Sequence, residues 1–266
     1  MNLPKITKKQ QEILELLYMY RFLNRIQIQT LLRHKNRKTI NLWLQDLREK
    51  HYVAWIYSTD FTEKTKPAIY YLGINGVRYL RSTHEYPAAE IRKRYYESGR
   101  SEGFISRSIF LADISIDLAG ITSENVRYAC QTHAEYALPD RTFSFLSKIE
   151  DVHPDLCYMK QEGAATKIYL LELLDATLPR YRVKRRLKYY VDYLDFSFNE
   201  WKHLSGRTDR PIVLFLCPTV SELLYAKRRT RKLLENVPDR ASIHLKFATL
   251  DEVRRLGVIS KVWEEA

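Results

Sequence analysis

Residues 24–47 read NRIQIQTLLRHKNRKTINLWLQDL, and the spacing of their apolar positions decides how the first part of the chain folds. Asn24 is placed to cap a short helix carrying Ile28, Leu31 and Leu32. A basic break, Arg33-His34-Lys35-Asn36-Arg37-Lys38, then precedes a helix in which Ile40, Trp43, Leu44 and Leu47 recur at helical spacing. Two short amphipathic helices joined by a tight turn, the second opening with polar and basic residues, describe a helix-turn-helix. The start of the second helix in such a unit meets base edges of duplex DNA. Here that start offers Asn36, Arg37, Lys38, Thr39 and Asn41, with Gln45 one turn further along the same face.

Upstream, Thr7 predicts the cap of a helix from Lys8 to Phe22, with Ile13, Leu16, Leu17, Tyr20 and Leu23 on one side. Downstream, strand-like runs at 52–57 and 68–72 flank the polar connection STDFTEKTKP, which carries Lys64 and Lys66. Gly73-Ile74-Asn75-Gly76 and a helix from Val77 to Arg81 follow. Three helices, a hairpin with a basic tip and a closing helix make a winged helix-turn-helix over residues 1–82, whose wing lies along phosphates. Such a fold also serves as a protein-docking module, and the basic turn and basic wing together favour DNA. Residues 83–101 are polar, with Pro87 and the cluster Arg92-Lys93-Arg94, and read as a linker or a short exposed helix between two domains.

Charge follows the same division. The chain of 266 residues has 44 Lys and Arg against 32 Asp and Glu, a formal +12. Residues 1–100 hold 19 basic and 9 acidic side chains, and the remainder holds 25 and 23. A basic first part on a nearly neutral second part points to one module that meets a polyanion. No apolar run has the length of a membrane span, and the opening residues have charges within their apolar stretch and no small-residue cleavage site. Cys130, Cys157 and Cys217 form neither a disulfide framework nor a zinc spacing. The expectation is a cytoplasmic protein without a membrane partner. A homodimer on a palindromic site is compatible with this reading, but no heptad run supports a coiled coil.

From residue 102 the pattern changes to alternating elements: a helix to Leu118, strands at 126–137, 155–159 and 167–174, a basic helix from Arg180 to Phe196, a buried strand at 211–217, a helix at 221–236, a strand at 243–248 and a last helix at 251–256. The predicted fold class is thus α+β for the first module and α/β for residues 102–266, a mixed sheet covered by helices. Asp155 follows Pro154 at the mouth of its strand, Glu172 lies inside the apolar run YLLELLD, and Asp175 ends that run. A carboxylate in a buried run costs several kcal/mol unless it is paired or coordinates a cation. Asp155, Glu172 and Asp175 are therefore candidate ligands of a hard divalent ion such as Mg²⁺, with Asp155 and Glu172 the catalytic pair of a phosphodiester cleavage. The alternative is structural: Asp155 accepts backbone hydrogen bonds, Glu172 pairs with an Arg of the next helix, and Asp175 and Thr177 cap that helix.

Pro154-Asp155, a polar hairpin, then Glu172 in a hydrophobic strand before a helix resemble the restriction-endonuclease-like superfamily with its PD-(D/E)xK core. More narrowly, roughly residues 7–256 resemble the replication-relaxation proteins of bacterial plasmids and other mobile elements. Those have an N-terminal winged helix, a Pro-Asp string, a Glu–Asp pair in a strand, a Thr just after, and a basic–Tyr pattern on the next helix. The corresponding residues are Pro154-Asp155, Glu172, Asp175, Thr177, Arg186 and Tyr190. The resemblance implies a protein that acts on double-stranded DNA in replication or relaxation or its control. One departure bears on catalysis: the nuclease pattern has Lys two residues after the Glu, and Leu174 stands there. Lys167, Lys184 and Lys188 are the cations near enough in sequence to replace it. Three functions remain open: DNA binding on a degenerate nuclease fold, Mg²⁺-dependent cleavage at a site that the winged helix selects, and, less favoured, a protein–protein adaptor in replication or transcription without direct DNA contact.

Overall fold

Reciprocal side-chain caps start the first helices where the sequence puts them. Thr7 Oγ1 accepts from the Gln10 backbone N–H while the Gln10 side chain accepts from the Thr7 N–H, opening α1 (Lys8–Tyr20). Asn24 and Gln27 repeat the arrangement at α2 (Arg25–Leu31). The Asn36 side-chain carbonyl accepts from the N–H groups of Lys38 and Thr39 at the head of α3 (Arg37–Glu49). The computed structural model describes residues 3–57, 66–121, 123–139, 141–149, 152–195 and 198–266. The tip of the expected wing, with Lys64, lies outside the described residues.

These helices pack on a small antiparallel sheet of β1 (Leu23–Asn24), β2 (Val53–Ile56) and β3 (Ile69–Leu72), in the order β1-β3-β2. Leu23, expected on the first helix, pairs instead with Tyr70, because Arg21 leaves the helix with a positive φ of 70°. The buried face of α1 is Ile13, Leu14, Leu17 and Tyr18, while the expected Leu16 and Tyr20 are only half-buried. A fourth helix, α4 (Ile74–Thr83), starts earlier than the expected Val77. It lies flush on the turn before β2: a Cβ on Gly76 would come within 2.3 Å of the Tyr52 carbonyl oxygen. Among the described residues the order of this part is α1-β1-α2-α3-β2-β3-α4.

Residues 83–101 are not a plain linker. They form α5 (Ala88–Lys93) and a 3₁₀ stretch, Arg94–Gly99, with Arg94 and Glu97 almost fully buried. Arg21 donates two hydrogen bonds to the Glu97 carboxylate at 2.8 and 2.9 Å, and Arg94 donates to the Tyr18 carbonyl. Charges that look solvated in sequence are thus internal pairs. Burial, with the Arg21 charge nearby, pulls the Arg94 guanidinium down to about 10.

The next helix, α6 (Glu102–Ile121), carries the division between two compact units, the first ending at Ile116 and the second beginning at Asp117. Most of α6 therefore belongs to the first unit instead of opening the second. Buried Gln27 donates to the Ile109 carbonyl and the Asp113 carboxylate, which ties α2 to that part of α6.

The second unit is built on six strands: β4 (Val126–Thr132), β5 (Leu156–Glu162), β6 (Ala165–Leu173), β7 (Ile212–Cys217), β8 (Leu245–Thr249) and β9 (Glu264–Glu265), side by side in chain order. Pairing is antiparallel except β6–β7 and β7–β8, which are parallel. The expected strand to Ala137 stops at Thr132, whose reciprocal cap with Glu135 opens α7 (His133–Tyr136). Helices α8 (Arg180–Asp195), α9 (Phe198–Ser205), α10 (Val220–Leu234) and α11 (Leu250–Leu256) complete the unit. Its core joins Leu187 and Tyr190 of α8 and Trp201 of α9 to Val213, Phe215 and Phe247 of the sheet. Among the described residues no helix is long and apolar enough to cross a membrane.

Candidate functional site

By burying Ile40, Leu44 and Leu47, α3 leaves Arg37, Lys38, Asn41 and Gln45 on its exposed side, with Thr39 half-buried. The Asn36 oxygen is taken by the helix cap, and the Gln45 amide donates to Glu49 at 2.9 Å. Burial, followed by the Arg37 charge, lowers the pKa of Arg25 on the preceding helix. Two guanidinium groups near one another at the head of α3 make a local positive field that an anion would relieve. Lys66 is exposed at the far side of the β2–β3 connection.

Arg48 at the end of α3 meets a pair of exposed aromatic rings of the same unit. The Arg48 guanidinium lies 4.0 Å from the Trp55 ring centroid, and Trp55 stacks on Tyr57 at 5.3 Å, with both rings about two-fifths exposed. The signal of this pair in the sequence is the alternation Trp55-x-Tyr57, which puts both rings on one face of a strand.

In the second unit, four of the residues singled out in sequence come together. The register that pairs Leu156 with Leu171 sets Asp155 across from Glu172 at the ends of β5 and β6. Asp155 donates its N–H to the Leu171 carbonyl at 2.9 Å, and its Oδ2 accepts from the Leu173 N–H at 2.8 Å. Glu172, only 3% exposed, accepts from the Arg186 guanidinium through Oε1 and from the Tyr190 hydroxyl through Oε2 at 2.9 Å. Arg186 and Tyr190 lie one turn apart on α8, so a single helix face delivers both donors. Burial, reinforced by the Glu172 carboxylate, holds the Tyr190 phenol far above its ordinary value and keeps it a neutral donor.

Asp175 does not join this cluster through its Oδ1. That atom accepts from the N–H and hydroxyl of Thr177, both at 2.8 Å, fixing the turn before α8. Beside Glu172 opens a cleft of about 250 Å³ whose wall includes His153, Arg182, Arg185 and Arg186. Arg182 and Arg185 make no ion pair among the described residues, and Arg185 sits over the Tyr189 ring. None of the three lysines considered as replacements lines it: Lys188 pairs with Asp192, Lys184 is exposed on α8, and Lys167 stands near the opposite end of β6.

This donor set does not fit a hard divalent ion as arranged. Both Glu172 oxygens hold protein donors, one of them already a cation, and one Asp155 oxygen is held by backbone. Among the described residues no group of three or more His, Cys, Asp and Glu side chains is placed to hold a metal.

Among solved structures the chain is similar to the restriction endonuclease FokI bound to DNA, at 14% identity and a TM-score of 0.33, covering 94% of this chain and 44% of that one. It is also similar to a second structure of the restriction endonuclease FokI, at 13% identity and a TM-score of 0.30, covering 94% and 46%. The chain thus spans less than half the length of either. No curated protein matches it. Residues 14–207, most of the chain, match the model of the replication-relaxation family, and the chain belongs to that family.

Proposed function

We propose that the chain is a double-stranded-DNA-binding protein of a bacterial plasmid or mobile element, working in the cytoplasm in replication or relaxation or its control. The first unit acts as a winged helix: α3 enters the major groove, Arg37, Lys38, Asn41 and Gln45 approach base edges and phosphates, and the connection that carries Lys64 and Lys66 follows the backbone. The observation that carries the reading is the exposed, basic, capped head of α3 on a helix whose other side buries Ile40, Leu44 and Leu47. The second unit keeps a nuclease-like arrangement of carboxylates without its metal chemistry, a reading supported by the Arg186 and Tyr190 partners of Glu172. Because Asp155 and Glu172 remain neighbours across β5 and β6, a second reading stands beside it, an Mg²⁺-dependent endonuclease with Asp155 and Glu172 as catalytic residues.

One experiment separates the two. Supercoiled plasmid is incubated with the protein and Mg²⁺, Mn²⁺ or EDTA, beside Asp155→Ala and Arg37→Ala/Lys38→Ala variants. The proposal expects intact plasmid and a salt-sensitive mobility shift. In the double variant the salt slope falls by about 0.9 for each phosphate no longer neutralised. Metal-dependent nicking abolished by Asp155→Ala would establish the endonuclease, and an unchanged shift in the double variant would remove α3 as the DNA-contacting element.

A further inference from the structure

We infer that the second unit carries a separate binding cleft for single-stranded nucleic acid, on the sheet face away from the Glu172 cluster. Along β5 and β6, Glu172 shares its face with Leu170 and Ile168, which belong to the core, so Tyr169 and Lys167 look to the other side. The register builds that side in two rows. One is Tyr128, Lys160 and Lys167 across β4, β5 and β6, and the next holds Tyr158 and Tyr169 on β5 and β6. Tyr158 and Tyr169 stack at 4.6 Å with planes 12° apart, and the Tyr128 ring tilts onto Tyr158 at 6.2 Å.

Together with Lys246 of β8 and the segment 258–263, these residues enclose a cleft of about 400 Å³, within the size range of small-molecule sites. The far wall is set by Trp263, whose indole N–H donates to the Val258 carbonyl at 2.7 Å.

The charge in this cleft is not balanced internally. Lys160 and Lys167 are direct cross-strand partners, a placement that opposes like charges, and the single Glu162 carboxylate beside them offsets only part of that charge. Glu162 pairs with Lys160 and Glu265 with Lys246, at 2.6 and 3.2 Å. Lys167 and Lys261 form no ion pair among the described residues, so the cleft keeps a net positive charge. Tyr158, only 3% exposed, backs the half-buried Tyr169 ring, and a tyrosine ring between ammonium groups is the chemistry that takes a nucleotide unit, the base on Tyr169 and the phosphate on the lysines. A continuous strand is favoured over a free nucleotide because lysines flank the Tyr158–Tyr169 row, with Lys160 and Lys167 one row before it and Lys246 of β8, level with Leu171, one row after it. The inference is independent of the duplex binding through α3.

The test uses the full chain and a fluorescein-labelled oligothymidylate followed by anisotropy, with thymidine 5′-monophosphate as competitor. Lys167→Gln/Lys261→Gln changes two exposed side chains, and Tyr169→Leu removes the half-exposed ring; circular dichroism checks that each variant folds. The expected result is binding that weakens by about ten-fold in either variant, with the salt slope of the lysine variant falling by about 0.7 for each phosphate left without its lysine. The Arg37→Ala/Lys38→Ala variant keeps this binding while losing duplex DNA. Oligothymidylate binding that persists where the parent fails to bind duplex would end the winged-helix reading and leave this one standing. Unchanged affinity in folded Lys167→Gln/Lys261→Gln, or loss that follows Arg37 and Lys38 instead, would overturn it. Displacement by the mononucleotide as effectively as by unlabelled oligomer would also overturn it, in favour of a free-nucleotide cleft.

Discussion

Glu172 sits 3% exposed in an apolar strand, and its partners decide whether that position is tolerable. Removing one partner of a buried pair leaves the other charge desolvated. Arg186→Met should therefore destabilise the protein by about 2–4 kcal/mol, below the top of the usual range because the Arg186 side chain is 37% exposed. Adding Glu172→Gln should recover much of that loss, since the glutamine oxygen still accepts from Tyr190. Urea midpoints of the two variants and the parent check this; a fully stable Arg186→Met would mean that another group satisfies the carboxylate. Asp46 makes a milder case. Its hydrogen bond from Lys50 Nζ, and then that from Gln10 Nε2, lower its pKa and tie α3 to α1. A depressed acid stabilises the fold above its unfolded value of 3.8 and loses that contribution as pH falls through the folded value beneath it. Because Asp46 is 40% exposed, Asp46→Asn should cost only about 0.5–1 kcal/mol at neutral pH, and the difference should vanish in acid below that folded value.

At the scale of elements, the head of α3 combines a structural task with a proposed binding one. Asn36, a base-reading candidate by sequence, has its side-chain oxygen engaged by the N–H groups of Lys38 and Thr39. Asn36→Ala should cost about 1 kcal/mol and weaken duplex binding by fraying the turn that presents Arg37 and Lys38. Asn36→Ser retains a cap and should restore both stability and affinity; if serine rescues stability alone, the asparagine amide itself contacts DNA. Local chemistry of this kind is what the sequence makes readable. Thr7, Asn24 and Asn36 start helices through neighbours three residues away or fewer, and the apolar run in 167–174 marks β6 before any partner is known. Failures fall where the deciding partner is distant. Arg94 and Glu97 look like a solvated linker until Tyr18 and Arg21, more than 70 residues earlier, are brought beside them. Leu23 looks helical until Tyr70 supplies a strand. The candidate site divides likewise: Asp155 and Glu172 are legible as a pair, whereas the choice between a metal and Arg186 requires the packing of α8 on the sheet.

For the whole molecule, the consequential difference is where the first unit ends. Composition changes at residue 102, but the compact unit runs to Ile116 because it needs α6. Within that unit Phe104 packs its ring against Phe22 at 6.2 Å, the Arg21 guanidinium lies 4.3 Å from the Phe104 ring, and Gln27 donates both to the Ile109 carbonyl and to Asp113. A fragment cut at Ser101 lacks every one of these interactions. It opens the Gln27 amide, 3% exposed in the full chain, to water in place of its two acceptors. Each hydrogen bond lost to water costs about 0.5–1.5 kcal/mol, and the missing aromatic packing adds to it. In a small domain whose whole stability is on the order of 5–15 kcal/mol, that deficit is large. A fragment ending at Ile121 keeps α6 entire and should melt cooperatively, whereas one ending at Ser101 should melt several degrees lower or fail to give a cooperative transition. The comparison by circular dichroism also bears on DNA binding. If the longer fragment retains the duplex affinity of the full chain, the first unit binds the duplex alone, and equal melting of the two fragments would instead return the boundary to residue 101.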